Sequence, residues 1–361
     1  VTAALPPRTF EGPTDLAPLF APLSLNAAVT IKNRIALAPC TRNRALADLS
    51  TTSGAIDHYA SRAEAGLLIT EGTLISRRTR GYLDTPGIFQ GSHVEAWARV
   101  TEAVHARGGV IFCQLWHLGR MAHSYFGGEA VGPSPVLDRA ERRAMGRTGL
   151  FHEPPREMTL RDIDETVGDY ARAARLARQA GFDGIEIHGA NGYLPDQFLR
   201  QHTNRRDDAW GGSAEKRAGF AVAVAGAAAA EIGAERVGFR MSPAAYYSEM
   251  RYTPGDNEAI TAALDGLARL GLAYLHCGII EDESLEYLGC TSSAFLRKRW
   301  GGVLIGNGGY TPQAAARHIA AGGFEVIAWG KPFLANPDLV ERVRQGAPLK
   351  PYSREIMDGF R

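Results

Sequence analysis

No Cys-x-x-Cys pair occurs in the 361 residues, and only four cysteines are present: Cys40, Cys113, Cys277 and Cys290. A zinc knuckle or an iron–sulfur cluster needs thiolates in close pairs, and a disulfide scaffold is far denser in cysteine. The cysteine usage therefore fits a reducing compartment, with these side chains as small packing residues. An excess of one charge is also missing. Forty Lys and Arg against 39 Asp and Glu leave +1, and no basic block gives the electrostatic footprint of a nucleic-acid partner. No apolar run reaches the roughly 18 residues that suggest a membrane-spanning helix. Residues 1–13 are Pro-rich and lack the apolar stretch of a secretory signal. The expectation is a soluble intracellular protein, cytoplasmic, or organellar if its N-terminus is processed. It would act as monomer or homodimer on small molecules, with no membrane and no nucleic acid.

What is abundant is glycine, 41 residues, well above the usual ~7%. It flanks short apolar runs at 33–39, 66–70, 109–115, 184–188, 237–241, 272–276, 302–306 and 324–328. These eight runs have strand length and near-continuous apolarity, the pattern of strands buried on both faces. Between them lie helical patterns, at about 93–107, 160–180, 214–231, 256–270 and 311–321. The clearest starts at Thr159, with Asp162 at capping-box spacing, and stops at Gly181. Eight strands alternating with helices favour a (β/α)8 TIM barrel over an open doubly wound sheet. No linker divides the chain, so 1–361 reads as one domain. Residues 1–32 form an N-terminal cap, and 118–158 form a lid insertion after the third strand.

In such a barrel, chemistry sits at the C-terminal ends of the strands. The residues there are unusually polar. Asn307, Gly308 and Gly309 follow the seventh run, and Gly330 and Lys331 follow the eighth. Free N–H groups beside a cation at these two turns suit a phosphate. His188 and Asn191 close the fourth run, followed by Tyr193. Two N–H donors there would polarise one carbonyl oxygen, and the phenol is a candidate proton donor. Read alone, His188 is equally a satisfied structural residue. Gln114 offers an amide fork that matches the pyrimidine edge of a flavin. Arg240 would stabilise an anionic reduced flavin, or else form a structural ion pair. The Thr41 hydroxyl would donate to the flavin O4, or else serve a turn. No metal site is expected, because no carboxylate–histidine pair has ligand spacing.

Taken in order, these residues lie in motifs that resemble the Old Yellow Enzyme family, the FMN-dependent ene reductases that include the oxophytodienoate reductases. The motifs are Asn33-Arg34, residues 38–42, 69–72, 114–120, 184–194, 204–213 and 330–338, and the similarity runs from Leu19 to about residue 354. The resemblance implies that Pro39, Thr41, Gly72 and Gln114 hold the isoalloxazine, with Arg240 by its N1 and C2=O. Asn307, Gly308, Gly309, Gly330 and Lys331 would hold the phosphate. His188 and Asn191 would bind the substrate carbonyl, Tyr193 would donate a proton, and Trp116 would shape the pocket. NADPH or NADH would reduce non-covalent FMN. Hydride would then pass from flavin N5 to Cβ of an α,β-unsaturated carbonyl compound, and a proton from Tyr193 to Cα. Thr41 resembles the branch that carries threonine rather than cysteine beside the flavin, which leaves Cys40 a packing role.

Two positions depart from the family pattern. Lys331 stands where arginine is usual, a point charge without a planar fork. An aromatic pair near Met357 and Asp358 is absent, which alters one pocket wall. Two rivals remain at this point. One is an isomerase built on the same flavin barrel, against which Tyr193 speaks. The other is a flavin-free phosphate-binding barrel such as an aldolase. It would want a Schiff-base lysine at a strand end, and none ends the first six runs. An oxidative dehydrogenase with an added cluster would need the missing Cys motif. Arg142 and Arg143 could read the 2′-phosphate of NADPH, but they read better as charges on a solvated lid.

Overall fold

The computed structural model describes residues 8–10, 12–137, 150–247, 250–353 and 355–356. Eight parallel strands close on themselves: β1 (Ile35–Leu37), β2 (Leu67–Ile69), β3 (Ile111–Trp116), β4 (Gly184–Gly189), β5 (Val237–Met241), β6 (Tyr274–Cys277), β7 (Leu304–Gly306) and β8 (Val326–Trp329). Each pairs with its neighbour in sequence, and β8 pairs back onto β1 through Ile327 and Ile35. The eight apolar runs are thus the eight strands, and every strand residue is buried. Principal helices follow the strands: α1 (Ser53–Ala60), α2 (Gly91–His105), α3 (Leu160–Gln179), α4 (Ala214–Ile232), α5 (Asp256–Leu270), α6 (Ser292–Arg297), α7 (Pro312–Ala320) and α8 (Leu339–Gln345).

Local chemistry explains the clearest boundaries. Thr159 and Asp162 form the capping box that opens α3, each accepting the other's backbone N–H. Such a cap is worth about 1 kcal/mol. Ile163, Tyr170, Ala173, Ala174 and Ala177 then bury one face of α3 against the barrel. Gly181 takes φ +87°, which ends the helix.

Alternate residues of each strand point into the barrel. Near its N-terminal mouth these are large and apolar. Phe112 and Tyr274 fill the space, and two glycines make room for them. A Cβ at Gly184 would lie 2.5 Å from the Phe112 ring, and one at Gly238 would lie 2.2 Å from the Tyr274 ring. A short antiparallel hairpin, Leu23–Ser24 with Thr30–Ile31, closes this mouth. Its Leu25, Val29 and Ile31 join Ala36, Leu67, Phe112, Tyr274 and Val326 in one apolar cluster. The interior is therefore plugged at one end, and a ligand enters only at the other.

Past β3, the described part of the 118–158 excursion begins with two single 3₁₀ turns, Gly119–Met121 and Ser124–Phe126. A two-residue parallel pair follows, Val131–Gly132 with Arg156–Glu157. Leu118, Met121 and Ala122 pack with Leu49, Leu74, Trp116 and Tyr193. The start of the excursion thus lies against the C-terminal ends of β3 and β4. Residues 138–149, with Arg142 and Arg143, lie outside the described residues. No described helix is long and apolar enough to cross a membrane.

Candidate active site

Above the apolar plug, the inward face of the barrel becomes polar. Strand register sets Gln114 of β3 beside Glu186 of β4, His188 of β4 beside Arg240 of β5, and Arg240 beside His276 of β6. All five are buried. Gln114 Nε2 donates to Glu186 Oε1 at 2.7 Å, and His276 Nδ1 lies 2.8 Å from Glu186 Oε2. Burial disfavours the charge on Glu186. His276, Arg240 and Gln114 outweigh this and hold the carboxyl below its ordinary range. Desolvation dominates for His276 and pulls it below the usual imidazole value. The pair is therefore a carboxylate accepting from a neutral Nδ1–H. An ionised carboxylate only accepts, so Gln114 must turn its Nε2 to Glu186. The amide carbonyl is left to face elsewhere.

The turn after β4 carries the next group. Asn191 and Gly192 both take left-handed backbone angles, φ +60° and +75°. Buried side chains hold this turn. Asp196 Oδ2 accepts the Gly192 N–H at 2.9 Å and pairs through Oδ1 with Arg200 at 2.8 Å. Gln197 donates to the Gly192 carbonyl at 2.7 Å. Tyr193 immediately precedes the short helix Leu194–Leu199, and its ring meets the His188 ring edge-on at 4.8 Å. His188 is 5% exposed, and its Nδ1 has no partner. Burial, then the nearby Arg240, push its pKa well below the ordinary value, so the imidazole is neutral. Burial, then the neighbouring phenols Tyr82 and Tyr247, push Tyr193 well above its ordinary value, so it keeps its proton.

Trp116, at the end of β3, forms the wall. Its ring lies 4.9 Å from Tyr193 and stacks on Tyr82 at 5.7 Å. Gly72 fits beneath it, since a Cβ there would meet the indole at 2.4 Å. On the opposite side Pro39, Cys40 and Thr41 leave β1 half-buried. Desolvation, ahead of the opposing pull of Arg240, raises the Cys40 thiol to about 11. That keeps it a thiol, as a packing role requires. The Glu71 carboxylate accepts the Arg42 N–H at 2.8 Å and ties the Thr41 segment to the end of β2.

Two turns complete the rim. Gly308 and Gly309 adopt φ +129° and +81°, which strongly favour glycine. Thr311 then caps α7 by accepting the Ala314 N–H at 3.2 Å. Trp329 at the end of β8 donates to the Tyr310 carbonyl at 2.9 Å, holding the β7 and β8 turns side by side. Gly330 precedes the short helix Lys331–Ala335. Lys331 is exposed, with its ammonium 5.9 Å from the Tyr352 ring centroid.

Residues 18–350 match the NADH:flavin oxidoreductase / NADH oxidase family. The chain belongs to that family. It is 38% identical to 12-oxophytodienoate reductase 2 of Arabidopsis thaliana over 348 residues, covering 93% of this chain and 91% of that one. Among solved structures, the old yellow enzyme homologue from Zymomonas mobilis superposes with a TM-score of 0.88 at 36% identity, covering 94% of this chain and 96% of that one. Morphinone reductase in complex with tetrahydroNAD gives 0.86 at 38% identity, covering 94% and 93%. The chain is thus an Old Yellow Enzyme-type flavin oxidoreductase of the ene-reductase kind, with FMN as cofactor and a nicotinamide as reductant.

The residues present fit FMN. Arg240 is buried with its Nε unpartnered, an arrangement that costs free energy unless an acceptor meets it. Gln114 keeps its carbonyl free of Glu186, and the left-handed Gly308–Gly309 turn packs against Asp282 with the Arg8 guanidinium beside Gly309. Among the described residues no cluster could hold a metal ion. The expected flavin, phosphate and substrate residues lie at this end of the barrel, while Arg142, Arg143, Met357 and Asp358 fall outside the described residues. Glu186, His276, Tyr82 and Tyr246 were not expected. Glu186 was readable, since it sits two residues before His188 in a strand and so shares its face. His276 was signalled in the same way, as a polar residue within an apolar strand. Tyr82 and Tyr246 come from loops, whose paths no periodicity encodes.

Proposed function

We propose that this oxidoreductase reduces the activated C=C bond of α,β-unsaturated ketones, aldehydes, maleimides or nitroalkenes. The observation that carries the reading is the convergence of His188, Asn191 and Tyr193 on one turn, walled by Trp116. Pro39, Thr41, Gly72, Gln114 and Arg240 would hold the flavin ring. Asn307, Gly308, Gly309, Gly330 and Lys331 would hold its phosphate. FMN, reduced by NADPH or NADH, supplies the hydride that arrives at Cβ.

The remaining work falls to the protein. His188 and Asn191 donate to the carbonyl or nitro oxygen, where negative charge grows as the hydride arrives. A neutral imidazole suits this task, because it donates without giving up its proton to the substrate. Tyr193 holds its proton at physiological pH and delivers it to Cα. Trp116 and Tyr82 exclude water from the same side. Lys331 neutralises phosphate as a point charge rather than as a fork.

Product analysis tests the reading. With cyclohexenone and NADPH under anaerobic conditions, the expected result is one NADPH consumed per cyclohexanone formed. Double-bond migration with no NADPH consumed would place the activity with isomerases instead.

A further inference from the structure

Asn191 carries one half of the proposed clamp, and an amide is useful there only with its N–H₂ toward the substrate. Turned around, it would aim its carbonyl oxygen at the substrate oxygen and repel it. The neighbours of this side chain decide which way it faces. Two hydroxyls reach Asn191 Oδ1: Ser242 Oγ at 3.2 Å and Tyr246 OH at 2.5 Å. Ser242 has one proton to give. Its Oγ also lies 2.5 Å from the Gly278 carbonyl, which can only accept. Ser242 Oγ in turn accepts the Asn191 backbone N–H at 3.2 Å. The serine proton is therefore engaged by Gly278, and the serine anchors the backbone of the turn more than the amide.

That leaves Tyr246 as the donor to the side chain. The 2.5 Å separation lies in the O–H···O range and below that of N–H···O. The atom facing Tyr246 is therefore Oδ1, and Nδ2 points the other way. Tyr246 is partly buried and packs against the main core, so its hydroxyl is held in place. Burial also raises its pKa, which keeps the donor proton on the oxygen.

We propose that Tyr246 is a positioning residue that locks the Asn191 amide with Nδ2 toward the substrate, so that the site presents two donors and no acceptor to the activating oxygen. The inference rests on the clamp reading given above. It makes Tyr246 act through Asn191 and not on the substrate itself.

A double-mutant cycle on the FMN-loaded protein tests this, with phenol as the probe and its dissociation constant read from the visible flavin spectrum. Tyr246→Phe keeps the ring and should retain FMN content and melting temperature. Its phenol affinity should fall about three- to tenfold, the size of one lost hydrogen bond. Asn191→Ala should weaken binding at least as much. In the Asn191→Ala background, Tyr246→Phe should change nothing further. If Tyr246→Phe binds phenol as well as the parent does, or if the two effects simply add, the proposal is overturned. If Asn191→Ala itself binds phenol normally, the clamp reading fails instead. Should the phenylalanine variant lose FMN, Tyr246→Leu carries the same cycle and the same criterion, non-additivity with Asn191→Ala.

Discussion

Replacing both His188 and Asn191 by alanine is expected to leave FMN bound and to weaken phenol binding by about a hundredfold or more. The magnitude follows from two buried donors serving one oxygen in a site that excludes water, where each lost bond costs more than at the surface. The cofactor should stay because the groups proposed to hold it come from other elements: β1, the ends of β2 and β3, Arg240 in β5, and the turns after β7 and β8. A spectral titration reads both quantities in one cuvette, from flavin content and from the ligand-induced change. Unchanged phenol affinity would remove His188 and Asn191 from substrate binding and return His188 to a structural role.

Tyr193→Phe should slow enone turnover by about a hundredfold or more, the usual worth of a positioned proton donor. Flavin reduction by NADPH should change little, since that half-reaction needs no proton at Cα. The separation between half-reactions is the point. Tyr193 touches His188 and Trp116, so a purely structural loss would loosen the whole wall. It would then slow both half-reactions together. Stopped-flow traces of the two steps distinguish these cases, and equal slowing would make Tyr193 a packing residue.

The barrel was legible because its strands announce themselves. A strand buried on both faces has no polar face, so runs such as 66–70 and 302–306 stand out against amphipathic helices. Helix α3 was equally plain, as its capping box and apolar face agree. Helices α1, α6 and α8 were not expected. Each is short, and α1 begins Ser-Gly-Ala with little amphipathic pattern, so packing rather than propensity fixes it. The site followed the same division. Residues at strand ends were found because the fold class predicts where chemistry stands. Glu186 and His276 stand level with Gln114 and Arg240 in the register, and each is visible in sequence as a polar residue within an apolar run. Only the register shows that they meet and that Gln114 is oriented by them. Tyr82 and Tyr246 reach the site from loops, and the link from Tyr246 to Asn191 spans 55 positions of sequence. Side chains joined in this way are set by tertiary geometry, which no local pattern reports.

The role of Lys331 also looks different with the fold in hand. It was expected as the cation of a phosphate site, and it does open the short helix after β8. Its ammonium lies near Tyr352, while the left-handed Gly308–Gly309 turn supplies N–H groups and has the Arg8 guanidinium beside it, itself paired with Glu281 and Glu283. Phosphate recognition in the proposed site therefore depends on backbone donors as much as on the lysine.

The most direct test of the account is the visible spectrum of the purified protein under anaerobic conditions, recorded alone, after NADPH, and after cyclohexenone. The account predicts a yellow protein that bleaches with NADPH and recovers its colour with the enone. A colourless protein that takes up no added FMN, or a bleached one that the enone leaves bleached, would contradict it.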